Sequence, residues 1–374
     1  MIKPKLFFEF LSSLDINFFT GVPDSTLKEF CFCIDDNIKS ENHIITANEG
    51  NSVALATGYN LATGSLPLVY MQNSGFGNAI NPLLSLSDPE VYSIPMIVLM
   101  GWRGEPGTKD EPQHKMQGKV QIKLLEALEI PYHVLSKARL EKEKVRKIID
   151  TARMESRPCV LLVRKGTFQK YKKSYAEEYN NNILSREGAL EIIISQLEKG
   201  DIVVSTTGKL SREIFEIRER KLQTHEKDFL TVGSMGHCSS IALGIAIQKP
   251  ERNVYCIDGD GSLIMHAGSL ATIGKINPNN LTHIIINNFS YESVGGQSTA
   301  SKFIDIPILG KANSYKHSIN VKDSLELEKG LADYKDKKGP KLLVVETNIS
   351  TRKDLGRPTR SPLENKKDFV NFLK

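Results

Sequence analysis

The sequence predicts an α/β protein built from two similar domains, each a mainly parallel sheet with helices on both faces. Two observations lead there. Short Val/Ile/Leu runs such as Met96–Met100 and His283–Ile286 alternate with amphipathic segments of helical length, which is the signature of strands buried on both faces. Landmarks of the first half also recur in the same order in the second. Thr20-Gly21 matches Thr207-Gly208, Ala54-Leu55 matches Ala242-Leu243, and Val69-Tyr70 matches Val254-Tyr255. Met96–Met100 matches Ile284–Ile286, and RPCVLLVRKG matches GPKLLVVET. Five pairs at offsets of 182 to 188 residues indicate two domains of one topology.

The chain has 374 residues, enough for two such domains, with 40% hydrophobic and 25% charged residues and a net charge of +5. That composition belongs to a globular protein. The charge is modest, and its densest cluster, Lys165 to Lys173, falls in a predicted linker. No nucleic-acid partner is therefore expected, while a mild positive balance suits anionic ligands. No apolar run approaches the ~20 residues of a membrane span, so no membrane partner is expected. The expected location is cytoplasmic.

Taken in order, MIKPKLFFEFLSSLDINFF reads as an amphipathic first helix, its apolar stretch interrupted by Glu9 and Asp15. A strand follows, with Thr20-Gly21 placed after it. Cys31 and Cys33 lie on a predicted helix after Pro23, where packing explains them better than metal or redox chemistry. The polar stretch Phe168–Ile183 marks the domain boundary, and Ser185 is the N-cap of the next helix. The domains are thus 1–172 and 185–374, with 173–184 between them. In parallel sheets of this kind ligands bind beyond the carboxyl ends of the strands. The informative loops are then Thr20–Thr26, Ala47–Asn51, Gln72–Asn78 and Gly101–Gly118, followed by Thr206–Ser211, Val232–Cys238, Asp258–Ser262 and Asn287–Gln297.

The most specific of these pairs is the last. A strand over Asn253–Ile257 runs into Gly259-Asp260-Gly261, a helix over Ser262–Ile276 follows, and the strand His283–Ile286 stops at Asn287-Asn288. An acidic residue after one strand and an amide after the next offer oxygen ligands to a hard divalent cation, with a helix N-terminus nearby for phosphate. Two rival motifs fail. A calcium loop from Asp258 would place Leu263 where the sharp-turn glycine belongs, and a dinucleotide loop at Gly75-Phe76-Gly77 meets Ile80 in place of its third small residue.

Gly-Asp-Gly followed about twenty-five residues later by Asn-Asn resembles the signature of thiamine diphosphate (ThDP) enzymes. GVPDSTLK, NEGNSVALATGY, QNSGFGNAINPL, GWRGEPGTKDEPQH, VGSMGHCSSIALGIA, GDGSLIMHAGSLATIG and NNFSYESVGGQ extend the likeness over nearly the whole chain. Together they resemble the ThDP-dependent 2-oxoacid decarboxylases of the phosphonopyruvate decarboxylase family, related to the sulfopyruvate decarboxylases. The resemblance implies a pyrimidine-binding N-terminal domain, a diphosphate-binding C-terminal domain, and ThDP and Mg²⁺ as cofactors.

It also implies roles residue by residue. Glu49 is the catalytic carboxyl at the cofactor's aminopyrimidine, with Ala47, Val53, Ala54 and Leu55 as apolar neighbours. Gly233, Ser234 and Met235 hold the cofactor bent, Met235 as the wedge between its rings. Asp260, Asn288 and the backbone carbonyl of Ser290 ligate Mg²⁺. Gly259, Gly261, Ser262 and Asn287 shape the loop or contact the diphosphate.

A substrate with a phosphonate and a carboxylate needs cations and amide donors. Arg103, Lys109, His114 and Lys115 are offered by one Gly/Pro-rich loop; the resemblance implies that Asp24 and Ser25 stand near the reacting carbon, with Asn73 and Asn78 at the matching end of the third strand. The loop Tyr291–Gln297 is a candidate lid, and His114 and Glu292 are candidate proton donors.

The implied reaction is the decarboxylation of 3-phosphonopyruvate to phosphonoacetaldehyde and CO₂, a step of phosphonate biosynthesis. A homo-oligomer is expected, at least a dimer, with active sites at the interface where Glu49 of one subunit meets Asp260 of another. Decarboxylation of sulfopyruvate is the alternative chemistry, and a non-catalytic ThDP-binding subunit the alternative class.

Overall fold

The computed structural model describes residues 1–174 and 183–374, so most of the predicted linker lies outside the described residues. Every strand ladder in it is parallel. The chain forms two units, Met1–Glu177 with Val294–Gln297, and Glu178–Ser293 with Ser298–Lys374. A short piece of the candidate lid, Val294–Gln297, is thus grouped with the first unit.

The first unit contains β1 (Phe19–Gly21), β2 (His43–Ile45), β3 (Leu68–Gln72), β4 (Met96–Trp102), β5 (Tyr132–Val134) and β6 (Pro158–Arg164). The second contains β7 (Ile202–Ser205), β8 (Asp228–Leu230), β9 (Val254–Gly259), β10 (Leu281–Asn287), β11 (His317–Val321) and β12 (Lys341–Glu346). The strand orders are β2-β1-β3-β4-β6-β5 and β11-β12-β10-β9-β7-β8. Read from its other edge, the second order is the first with every number raised by six. The internal repeat is therefore a repeat of topology.

Both sheets are covered on both faces. Along β3, Leu68 and Tyr70 enter one apolar cluster while Val69 and Met71 enter another. Along β10, Ile284 and Ile286 face one cluster and Ile285 the other. Side chains alternate across a strand, so a continuous apolar run fills two cores at once. Cys31 and Cys33 are buried and unpaired by disulfide on the helix Lys28–Asn37. No helix among the described residues is long and apolar enough to cross a membrane.

Several local expectations change. Thr20-Gly21 lies within β1 rather than after it, while Thr207-Gly208 follows β7, so that pairing was misaligned by a few residues. The helix expected over Ser262–Ile276 starts earlier and is broken into Asp260–Met265 and Ser269–Ile276. The break comes at His266, whose backbone leaves the helical region (φ −136°, ψ 47°). The stretch expected as one loop over Gly101–Gly118 is strand to Trp102 and helix from Pro112, because proline is pre-shaped for a first helical turn.

Arg218 and Asp228 are fully buried and paired through two bonds, Nε to Oδ2 at 2.9 Å and an Nη to Oδ1 at 2.8 Å. Removing one partner strands a buried charge. Asp228→Ala should lower stability by about 3–5 kcal/mol, read as the urea midpoint of the second unit. A loss below about 1 kcal/mol would contradict this account.

Candidate functional site

Two polar groups stand at the carboxyl ends of the central strands, one in each unit. Strand register builds both. In the first unit Gln72 of β3 pairs with Gly101 of β4, so Asn73 emerges beside Arg103. Its amide clasps the Arg103 backbone, receiving N–H at 3.0 Å and donating to C=O at 3.0 Å. Asn73 is buried and its polar atoms serve this clasp.

Glu49 is the first residue of the helix Glu49–Thr63, capped by the Asn48 side chain on the Asn51 N–H at 3.0 Å. The loop expected at Ala47–Asn51 is therefore already helix at Glu49. Its carboxyl is only 5% exposed. The Asn78 amide donates to Oε2 at 2.8 Å. Gly75 closes the other side: a Cβ there would stand 2.0 Å from Oε1. Of the apolar neighbours expected around Glu49, Val53 is buried while Ala54 is exposed.

Asp24 is 1% exposed. Its Oδ2 accepts the N–H groups of Thr26 (2.9 Å) and Leu27 (3.2 Å), while Oδ1 has no hydrogen-bond partner. Burial pushes its pKa up to about 6, against the opposing pull of Arg103. Ser25 is exposed and accepts from Arg103 at 3.0 Å. The rest of the guanidinium is forked onto Asp110, Nε to Oδ2 at 2.8 Å and an Nη to Oδ1 at 2.5 Å. Burial alone would raise the Asp110 pKa, but the Arg103 fork holds it well below the carboxylate range. The Arg103 cation is thus already matched. Lys109 and Lys115 are exposed.

His114 sits on the helix Pro112–Ala127 rather than in a loop, and it is buried. Burial and the nearby Arg103 lower its pKa, so it is neutral near pH 7. That makes it a poor acid.

In the second unit Gly259 of β9 pairs with Ile286 of β10, so Asp260 and the two asparagines leave adjacent strands at one level. Asp258, just before the turn, accepts the Gly259 N–H at 2.8 Å and lies 3.5 Å from the buried His283 ring. Asp260 is buried, and desolvation raises its pKa to about 6. Its Oδ2 accepts the Thr299 hydroxyl at 2.5 Å. The Ser301 hydroxyl lies 2.9 Å from Asp260 Oδ2 and 3.0 Å from Asn287 Oδ1. Asn288 is buried, accepts the Ser290 N–H at 3.1 Å and donates to Glu292 at 3.2 Å. Ser290 is buried, and its own hydroxyl has no hydrogen-bond partner.

Ser262 joins this turn to its neighbours, accepting the Gly236 N–H at 3.0 Å and lying 3.0 Å from the Thr206 hydroxyl. Ser234 and Gly236 both adopt left-handed backbone (φ 52° and 86°). At Gly236 a Cβ would also stand 2.4 Å from the His266 ring. Met235 is half-buried, and its methyl lies 3.5 Å from the space a Cβ on Gly261 would take. The Gly233–Gly236 loop therefore lies against the Gly259–Ser262 turn.

This donor set is a carboxylate, an amide oxygen and the Ser290 backbone, all hard oxygen ligands of the kind Mg²⁺ or Ca²⁺ takes. A buried carboxylate with a raised pKa gains from a nearby cation, so the residues fit one. No cluster of three His, Cys, Asp or Glu side chains able to hold a metal occurs among the described residues, so a zinc-type arrangement is not formed there.

Glu292, the other candidate acid, is bound by Arg186, Lys209 and Thr351. Burial would raise its pKa, but the Arg186 charge and its other partners hold it below the usual range. It stays ionised near neutrality and is not a proton donor there.

Sequence reasoning had not singled out Asp110, Thr299, Ser301, Thr206 or the Arg186 group. Asp110 stood inside the motif GWRGEPGTKDEPQH, next to residues that were. Thr299 and Ser301 lie 39 and 41 positions from Asp260, with no spacing rule to connect them.

Comparison with known proteins agrees with the two-part arrangement. Residues 4–125 match the family described as thiamine pyrophosphate enzyme, N-terminal TPP binding domain, and residues 207–345 match its C-terminal TPP binding domain. Phosphonopyruvate decarboxylase of Streptomyces viridochromogenes is 31% identical over 97% of this chain and 93% of its own. The enzyme of the same name from Streptomyces hygroscopicus is 33% identical over 97% and 92%. Sulfopyruvate decarboxylase of Methanosarcina acetivorans is 28% identical over 84% and 83%.

Asp24 yields a pH prediction. Its native pKa of about 6 exceeds the ordinary 3.8, so the folded state keeps this proton longer than the unfolded chain does. The contribution to stability is full below the ordinary value and is lost as pH rises toward 6. Asp24→Asn should raise stability at pH 7.5 by about 1–3 kcal/mol and change little at pH 4. Thermal melts at both pH values would check this, and an equal effect at each would refute it.

Gly75→Ala should push Glu49 out of position and break the Asn78 bond, costing about 1–3 kcal/mol. Wild-type stability, with an unmoved Glu49 in a crystal structure of the variant, would contradict this.

Proposed function

The chain belongs to the phosphonopyruvate decarboxylase family of ThDP enzymes, and from that premise we propose that it converts 3-phosphonopyruvate to phosphonoacetaldehyde and CO₂, using ThDP and Mg²⁺. Two observations carry the reading: one unit holds a pinned, buried Glu49, and the other holds the oxygen cradle of Asp260 and Asn288. A ThDP-binding subunit without catalysis would need the cradle but would have no use for Glu49.

When bound, ThDP supplies the carbon nucleophile and the electron-accepting ring that allow a 2-oxoacid to shed CO₂. The chain's own residues do the rest. Glu49, held by Asn78 and walled by Gly75, would share a proton with a ring nitrogen of the aminopyrimidine. Gly233 and Met235 would support the bent form, with Met235 as the apolar wedge. Asp260, Asn288 and the Ser290 carbonyl would hold Mg²⁺, and Gly261 and Ser262 would border the diphosphate.

CO₂ leaves its electron pair on the former carbonyl carbon, which must take one proton. Of the candidates, Asp24 combines a carboxyl whose pKa burial raises to about 6 with an Oδ1 that has no hydrogen-bond partner. Asp24 is therefore our proposed source of that proton. Lys109 and Lys115, exposed beside the Arg103–Asp110 fork, are the proposed partners of the phosphonate.

We place the enzyme in the cytoplasm as a dimer at least, with Glu49 and Asp260 of each site supplied by different subunits, as the family resemblance implies. Phosphonopyruvate is favoured over sulfopyruvate because the phosphonopyruvate decarboxylases match over 97% of the chain at 31% and 33% identity, against 28% over 84% for the sulfopyruvate decarboxylase of Methanosarcina acetivorans.

Glu49→Gln should abolish CO₂ release while ThDP binding, followed by calorimetry, stays within about threefold. Unchanged turnover would remove Glu49 from the mechanism. Mixing Glu49→Gln with Asp260→Asn subunits should restore about one quarter of wild-type activity, since half the dimers would carry one intact composite site. No recovery after subunit exchange would sink the shared-site arrangement. Faster CO₂ release from sulfopyruvate than from phosphonopyruvate would overturn the substrate assignment.

A further inference from the structure

Beside the oxygen cradle lies a group of buried charges that the proposed chemistry does not use. Arg186, 5% exposed, forks onto Glu213 with two bonds of 2.7 Å. Its remaining Nη donates to Glu292 Oε2. The Thr351 hydroxyl accepts from Arg186 at 3.0 Å and from Lys209 at 2.8 Å, and donates to Glu292 Oε1. Lys209 also lies 3.1 Å from Glu292 Oε1. Both carboxylate oxygens of Glu292 are thus held by charge-assisted bonds, which are shorter and stronger than neutral ones.

Glu292 has one further contact. Its Oε2 accepts the Asn288 amide N–H at 3.2 Å. A side-chain amide can present either its oxygen or its nitrogen by rotating half a turn, and only the oxygen can ligate a cation. The Ser290 N–H donates to the oxygen at 3.1 Å, and a fixed acceptor beside the nitrogen holds the other end of the amide in the same orientation.

We propose that Glu292, immobilised by Arg186, Lys209 and Thr351, is a positioning residue that locks the Asn288 amide with its oxygen as the metal-ligating atom. The inference rests on reading Asn288 as a ligand of the divalent cation. Four residues far apart in sequence then serve one torsion angle. Partners behind metal ligands typically account for about 10–100-fold in metal affinity.

The test exploits the asymmetry of an amide. Mn²⁺ affinity is measured by the loss of the free-ion electron paramagnetic resonance signal, with ThDP present. Asn288→Ala should weaken binding at least tenfold. Unchanged affinity would remove Asn288 as a ligand and the proposal with it. Glu292→Ala should weaken binding about 10–100-fold when residue 288 is asparagine. In an Asn288→Asp background, where both oxygens are equivalent and no orientation is needed, the same change should cost less than about threefold.

Equal losses in the two backgrounds would overturn the proposal, since a merely structural role of Glu292 affects both alike. Thr351→Val, which removes one strut and keeps the carboxylate, should show the same background dependence at smaller size. It carries the comparison if Glu292→Ala fails to fold.

Discussion

The register of the central parallel strands governs what this chain can do. Pairing of Gly259 with Ile286 brings Asp260 and Asn287-Asn288 out of the sheet at one level. Pairing of Gln72 with Gly101 does the same for Asn73 and Arg103. A slip of one residue would exchange the side chains packed into the two cores and carry the polar strand ends off that common level. The apolar runs that make the cores therefore also aim the polar ends. Duplication of the topology explains why both units gather polar groups at the same corner of the sheet, although the groups themselves differ.

Burying polar atoms at those corners has a cost, and each unit meets it in two ways. Asp24 and Asp260 are carboxyls whose pKa values burial has lifted to about 6. Each has few donors for its burial, and each would gain from a proton or a cation. Such groups destabilise the fold and are expected where chemistry requires them. Arg186, Glu213 and Glu292 instead satisfy one another, with Thr351 and Lys209 filling the remaining bonds. The first kind is poised to react, and the second is built to stay still. Arg103 and Asp110 belong with the second kind.

Much of this was legible in the residues. The alternation of Val/Ile/Leu runs with amphipathic segments marked the parallel sheets, and the recurrence of landmarks marked two of them. Gly259-Asp260-Gly261 with Asn287-Asn288 marked the buried polar turn of the second unit, and Glu49 after its N-cap marked the buried carboxyl of the first. The short edge strands β2, β5 and β8 have no signature in the sequence, because three residues carry no period of their own. The helix carrying His114 reads as loop because Gly and Pro around it outweigh the helix-start proline at Pro112. The break at His266 left no mark in composition.

Periodicity and recurring landmarks in the residues carry the fold class and the repeat of topology, and the resemblance of motifs at the strand ends to those of ThDP enzymes carries the cofactor. Only the tertiary structure decided which charges are spent. Arg103 looked available to an anion until Asp110 was found on its fork, and Glu292 looked like an acid until Arg186 was found beside it. The reason is physical. A strand motif acts through the backbone it sits on, whereas the state of a charged side chain depends on partners at separations from 7 to 106 residues, which folding alone brings together.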